Sequence, residues 1–196
     1  MTRLTNWLII SFKKEAVQEM KSNSIARFVS ILVLLKEAQQ KVGKTFIQKA
    51  IYILQEGFGI DLGYRYKLHL FGPYSDGVEW DLNILENGNY ITILYDINKE
   101  GYQISITEDG EKFIEKYSSE IGHLSEKVKK TILKILELVK TNTAREIELF
   151  GTVLYFTKIT KDREKIIKSV QVIKPYFQEQ QIEKAIESIK KVINIQ

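Results

Sequence analysis

"YITILYDINKEGYQISITEDG", residues 90–110, is the stretch on which the fold turns. Tyr90–Tyr95 and Tyr102–Ile106 are rich in β-branched and aromatic side chains, and the polar segment Asp96–Gly101 separates them. That pattern predicts a β-hairpin. Thr107-Glu108-Asp109 then opens a helix, with acids in the first turn where the helix dipole favours them. The apolar period is therefore 2 across the hairpin and 3.6 on either side of it.

Upstream, Ile25–Ala38 is apolar nearly all round, so it predicts a helix buried on most sides. Thr45-x-x-Gln48 fits a capping box ahead of a second helix, Phe46–Glu56, which Gly57 and Gly59 end. Tyr64–Phe71 alternates: Tyr64, Tyr66, Leu68 and Leu70 face one way, and Arg65, Lys67 and His69 the other. This predicts a strand with a wet, basic face, stopped by Gly72-Pro73. Ser75 or Asp76 caps a helix reaching Glu86, with Val78, Leu82 and Leu85 as its apolar stripe. The order helix, helix, strand, helix, hairpin over roughly Ile25–Thr107 predicts a winged-helix-like domain, mainly α in an α+β class. Its small antiparallel sheet would hold Tyr64–Phe71, Tyr90–Tyr95 and Tyr102–Ile106. The hairpin would be the wing, and Ser75–Glu86 would take the recognition-helix position.

Downstream, composition shifts near Ser118 to Lys/Glu/Ile-rich helices. The expected division is an N-terminal extension (1–24), the winged-helix-like domain (25–118) and a C-terminal helical extension (119–196) packed on it. Val128, Ile132, Ile135, Leu136 and Val139 keep a helical period, and Thr143-x-x-Glu146 fits a second capping box. A seam of Ile182, Ile186, Ile189 and Ile193 predicts packing against Val128–Val139, in this chain or in the second copy of a homodimer.

The 196 residues are 44% apolar and 28% charged, enough for a sizeable core. Without cysteine there are no disulfides and no thiolate metal sites, and a reducing, cytoplasmic compartment is the expectation. The net charge of +4, from 29 basic and 25 acidic residues, permits nucleic acid without calling for it. The apolar run Ile25–Leu35 is interrupted by Arg27 and Ser30 and is too short to span a membrane. MTRLTNWLIISFKKEA at the N-terminus lacks the length and cleavage site of a signal peptide.

The runs KTFIQKAIYILQ, YKLHLFGPYSDGVEWDLNIL and GYQISITEDGEKF, with ELFGTVLYFTK at 148–158, resemble the YwgA-like proteins and, more distantly, the Panacea (SocA-like antitoxin) domains. The matching positions are Gln48, Lys49, Tyr52, Gly72, Pro73, Tyr74, Ser75, Thr107 and Gly110. The resemblance covers about Ile25–Lys158. It implies a winged-helix-like domain without known catalysis and regulatory, antitoxin-like action through protein contacts. Panacea chains end soon after the wing helix, whereas this chain adds several helices.

Tyr74–Glu86 carries Asp76, Glu79, Asp81 and Glu86 and no Lys or Arg. A DNA-reading helix needs the opposite charge. Asp76 and Glu79 are expected to serve the helix N-terminus and the rest to sit in solvent, or else the helix faces a basic protein partner or the Arg65-Lys67-His69 strand face. Only His69 and His123 are present, so no nucleophile–base pair, metal site or cofactor is expected, and neither is an enzyme. The expected function is a regulatory or adaptor protein. Its partner-binding residues would be Phe71, Tyr74, Ser75, Asp76, Glu79, Tyr90, Tyr95 and Tyr102, since aromatics anchor interfaces. The alternative is a DNA-binding regulator using the wing and the basic strand. Candidate nucleic-acid contacts are Arg65, Lys67 and His69, together with Lys127, Lys130 and Lys134 on one helix face, where Glu126 is placed to pair with Lys130. Lys161, Arg163, Lys165 and Lys168 are interleaved with Asp162 and Glu164 and read as a solvated face.

Overall fold

The structure, a computed structural model, describes residues 22–97, 101–139 and 144–193. Most of the expected N-terminal extension (1–21) and the capping Thr143 lie outside the described residues. Among those residues, eight helices and two two-stranded antiparallel sheets make a mainly α molecule of the α+β class.

Helix α1 (22–37) is buried on nearly every side, Ile31 to Leu35 included, as its all-round apolar pattern requires. Beyond it, Val42 forms an isolated antiparallel bridge with Ile104, with two backbone hydrogen bonds of 2.8 and 3.2 Å. Helix α2 (Lys44–Tyr52) begins behind Gly43, and no side chain caps it. The capping box expected at Thr45 and Gln48 is therefore absent. The last turn of α2 widens into a π-helical turn, Ile53–Gly57.

The next segment departs from its prediction. Only Lys67–His69 (β1) is a strand, and its partner is Gly72–Tyr74 (β2), in the register Lys67–Tyr74, Leu68–Pro73 and His69–Gly72. Gly72-Pro73 does not stop a strand; it forms the returning one. Gly72 has φ +88°, which lets the chain reverse around Leu70-Phe71. A Cβ at Gly72 would stand 2.7 Å from the Thr152 hydroxyl, so only glycine lets the hairpin press on the helix behind it. Pro73 needs no N–H partner on this two-stranded edge. The predicted three-stranded sheet is thus two separate hairpins, and Val42 rather than 64–71 adds to the second one.

Two glutamines of α2 and its π turn hold the 64–75 segment. Gln48 Oε1 accepts from the Ser75 amide at 3.0 Å, and its Nε2 donates to the Ser75 carbonyl at 3.0 Å. Gln55 does the same for Tyr64, at 3.0 and 2.9 Å. Each side-chain amide supplies both hydrogen bonds that a neighbouring strand would supply.

Helix α3 (Asp76–Asn87) buries Val78, Leu82 and Leu85 as predicted. Strands β3 (Ile91–Asp96) and β4 (Gly101–Ile106) form the predicted hairpin, pairing Ile91 with Ile106 and Tyr95 with Tyr102. Thr107 caps α4 (Glu108–Ser118): its hydroxyl accepts from the Gly110 amide at 3.1 Å and donates to the Asn89 carbonyl at 2.7 Å. Gly110 lies so close under the Tyr90 carbonyl that a Cβ there would collide. That accounts for the Thr-x-x-Gly pattern.

Helix α5 (His123–Leu138) and helix α6 (Ala144–Ile159) follow, with α7 (Arg163–Ile173) and α8 (Glu179–Val192) closing the fold. Helix α6 is the axle: it packs on α2, β2, α7 and α8 and buries residues on all sides. The isoleucine seam of α8 is buried as predicted, but it lies chiefly on α6, with α5 a lesser neighbour.

The axle also buries charge. Lys49 is only 2% exposed, and its stem runs between Gly72 and Gly151. Glu148 on α6 accepts from Lys174, which also donates to the Leu70 carbonyl, and from the Tyr176 hydroxyl at 2.7 Å. Burial pushes the Lys49 ammonium down to about 8; Glu148 opposes that shift and Lys174 adds to it. Between that value and the ordinary 10.5 the unfolded chain holds more protons than the folded one, so this group makes stability rise with pH.

Three substitutions test this packing. Lys49→Met removes a poorly solvated charge and keeps the stem; it should stabilise the protein at pH 7 by about 1–3 kcal/mol. It should also abolish the rise in urea midpoint that wild type shows from pH 8 to pH 10. Equal pH profiles for the two proteins would refute the assignment. Gln48→Leu leaves the buried Ser75 amide and carbonyl short of a partner and should cost about 2 kcal/mol or more in urea denaturation. Tyr66→Phe, which deletes a buried hydroxyl with no hydrogen-bond partner, should cost nothing or stabilise.

Candidate partner-binding face

Three of the four carboxylates of helix α3 are held by cations of the same chain. This bears out the expected contact with the basic strand at Lys67 and corrects the solvated reading for Asp81. Asp76 lies 2.7 Å from Lys67, and Glu79 lies 2.5 Å from Lys44. Asp81 is buried. It accepts from the Tyr64 hydroxyl at 2.7 Å, and Arg27 Nε sits 2.9 Å away. That Arg27 N–H does not aim at the oxygen, so the contact is one of charge rather than a hydrogen bond. Burial raises the Asp81 carboxyl above its usual range, against the pull of Tyr64 and Arg27. Burial, with Asp81 beside it, likewise pushes the Tyr64 hydroxyl well up. Only Glu86 is left exposed without an ion pair among the described residues.

With the acids engaged, the outer face of α3 is apolar. Trp80 is 67% exposed, and Ile84 follows one turn later, opposite the Val78–Leu82–Leu85 stripe. Asn83 and Asn87 flank them, and no Lys or Arg lies on the helix. Lys44 links this helix to the wing, since its ammonium contacts Glu79 and lies 4.8 Å from the centre of the Tyr102 ring. Tyr102 stacks edge-to-face on Tyr95 at 5.4 Å. By strand alternation both rings continue the core face of Ile91 and Ile104 outward, past the body of the molecule. Leu94, Tyr95 and Tyr102 are all exposed. Helix α3 and the β3–β4 hairpin thus expose five large apolar side chains, Trp80, Ile84, Leu94, Tyr95 and Tyr102.

The other expected site residues scatter. Phe71 is exposed at the β1–β2 tip, where the Lys174 ammonium lies 5.4 Å from its ring centre. Tyr74 is half-buried against His69 and Lys67. Ser75 is buried, and its backbone is held by Gln48, so it offers no side chain to a partner. Tyr90 packs inward on Phe113 at 4.9 Å. Arg65, Lys67 and His69 do lie exposed on one edge, but Lys67 is engaged by Asp76. Lys127, Lys130 and Lys134 stand exposed on α5, and Glu126 makes no ion pair with Lys130. Trp80, Ile84 and Leu94 were not anticipated. The signal for the first two was present: they stand one turn apart and off the apolar stripe of their own helix.

Asp76, Glu79 and Asp81 each turn to a different cation, and no three His, Asp or Glu side chains converge among the described residues. No described helix is long and apolar enough to cross a membrane.

No protein-family model matches the chain. The chain is similar to the uncharacterised protein YwgA of Bacillus subtilis (strain 168), with 25% identity over 140 residues, which are 69% of this chain and 77% of that protein, and this similarity supports the YwgA-like resemblance.

Proposed function

We propose that the protein is a non-enzymatic regulatory or adaptor protein that binds another protein through the outer face of α3 and the β3–β4 wing. The observation that carries this is the exposed Trp80–Ile84 pair on a helix three of whose four acids are occupied by the chain's own cations. Exposed aromatics beside an aliphatic neighbour are the usual anchors of an interface. The chain order supports a winged-helix-like reading: α1, the Val42 bridge to β4, α2, α3, then the wing. In that arrangement α3 takes the place of a recognition helix, with a surface suited to an apolar partner instead of phosphate. DNA reading by the wing and the basic strand is less favoured. Lys67 is engaged by Asp76, and α3 brings no cation to a groove.

The test uses the full chain. Trp80→Glu with Ile84→Glu should leave a cooperative fold and cost no more than about 1–2 kcal/mol of stability, since Trp80 is 67% exposed and Ile84 38%. The same variant should lose at least about thirtyfold in affinity for a partner captured from the native cell and then purified, as expected for an interface anchor. Binding equal to wild type would reject the face. Submicromolar duplex DNA binding that survives the double substitution would favour the DNA-reading alternative.

A further inference from the structure

Many exposed lysines are neutralised within the chain, although Lys184, Lys190 and Lys191 on α8 make no ion pair among the described residues. Lys129 on α5 pairs with Glu37, and on α7 Lys165 and Lys168 pair with Asp162 and Glu164. One row departs from this too. His123, Lys127, Lys130 and Lys134 follow one another at intervals of four, three and four along α5, which places them in a single stripe. All four are exposed, and none makes an ion pair among the described residues. They border an open cleft of about 480 Å³ whose other wall carries the half-buried Phe58, just past the π turn. Glu126 is the one acid lining it.

The stripe is about 16 Å long at 1.5 Å per residue, and successive ammonium groups stand roughly 5 Å apart along the axis. Each lysine is a mobile point charge on a flexible stem, suited to a phosphate without demanding fixed geometry. An aromatic ring beside a cationic track is the pairing by which single strands are held without sequence preference: the backbone follows the charges and a base stacks on the ring. A duplex would offer Phe58 no free base face.

We infer that the α5 stripe and Phe58 form a sequence-tolerant site for single-stranded nucleic acid, distinct from the α3–wing face. The stripe supplies about three phosphate contacts, so the logarithm of affinity should fall with the logarithm of salt at a slope near −2.

The experiment is fluorescence anisotropy of the full chain with a labelled dT 20-mer and a U 20-mer at several salt concentrations. Lys127→Gln with Lys130→Gln and Lys134→Gln should lower affinity more than tenfold and bring the slope close to zero, with an unchanged melting temperature. Phe58→Leu, which keeps an apolar side chain in place, should weaken binding severalfold and leave the slope alone. Lys165→Gln with Lys168→Gln, which removes paired charges, should change neither. The inference is overturned if wild type does not bind the oligonucleotides, or if the α7 double variant does the same damage as the α5 triple. A duplex of equal length, or a glutamate 20-mer, bound as tightly as the single strands would overturn it too, by showing attraction to charge alone.

Discussion

The side chain of Gln48 decides where α3 can stand. Its amide grips both backbone groups of Ser75, the residue from which α3 starts. Ser75 makes no capping bond with its own hydroxyl, so the start of the helix is set from α2. A net hydrogen bond contributes only about 1 kcal/mol, but an unmade buried one costs more, and that difference fixes the geometry. From this point Asp81 is carried inward to Arg27 and Tyr64, and Trp80, one residue earlier, is carried outward.

Electrostatics then makes the surface what it is. Asp76, Glu79 and Asp81 would give α3 a negative face if their cations were elsewhere. Lys67, Lys44 and Arg27 come from β1, α2 and α1 and cancel them one by one. What is left exposed on this side is the indole of Trp80, Ile84 and the tyrosine pair of the β3–β4 hairpin. The cationic character of the chain reappears in the His123–Lys134 stripe of α5, whose side chains make no ion pair among the described residues.

The helices and the β3–β4 hairpin were legible because their signals are local. The all-round apolar run of α1, the Ile182–Ile193 seam and the Tyr95–Tyr102 alternation each follow from neighbours within one or two turns. What was hidden depends on partners far along the chain. Gln48 looks like a capping residue until Ser75 is found against it, 27 positions later. Asp81 reads as solvated because its cation, Arg27, precedes it by a whole α2 and two hairpin strands. Gly72-Pro73 reads as a stop because the pressure of α6 on Gly72 has no trace in the segment itself. Trp80 was within reach, since its position off the helix's apolar stripe can be counted from the sequence.

The junction of Lys49, Gly72, Glu148 and Lys174 has a consequence for how such a chain can diverge. Lys49 needs the bare backbone at Gly72, and Glu148 needs at least one of two ammonium groups. Loss of the carboxylate alone strands two buried cations, and a side chain at position 72 displaces the stem of the first. Loss of Glu148 or a side chain at position 72 is therefore closed while Lys49 is present, whereas Lys49 itself can go first, which fixes the order in which the set can change. Relatives at low identity should keep Gly72 and Glu148 wherever a lysine stands at position 49, and lose them only where that lysine has already been replaced.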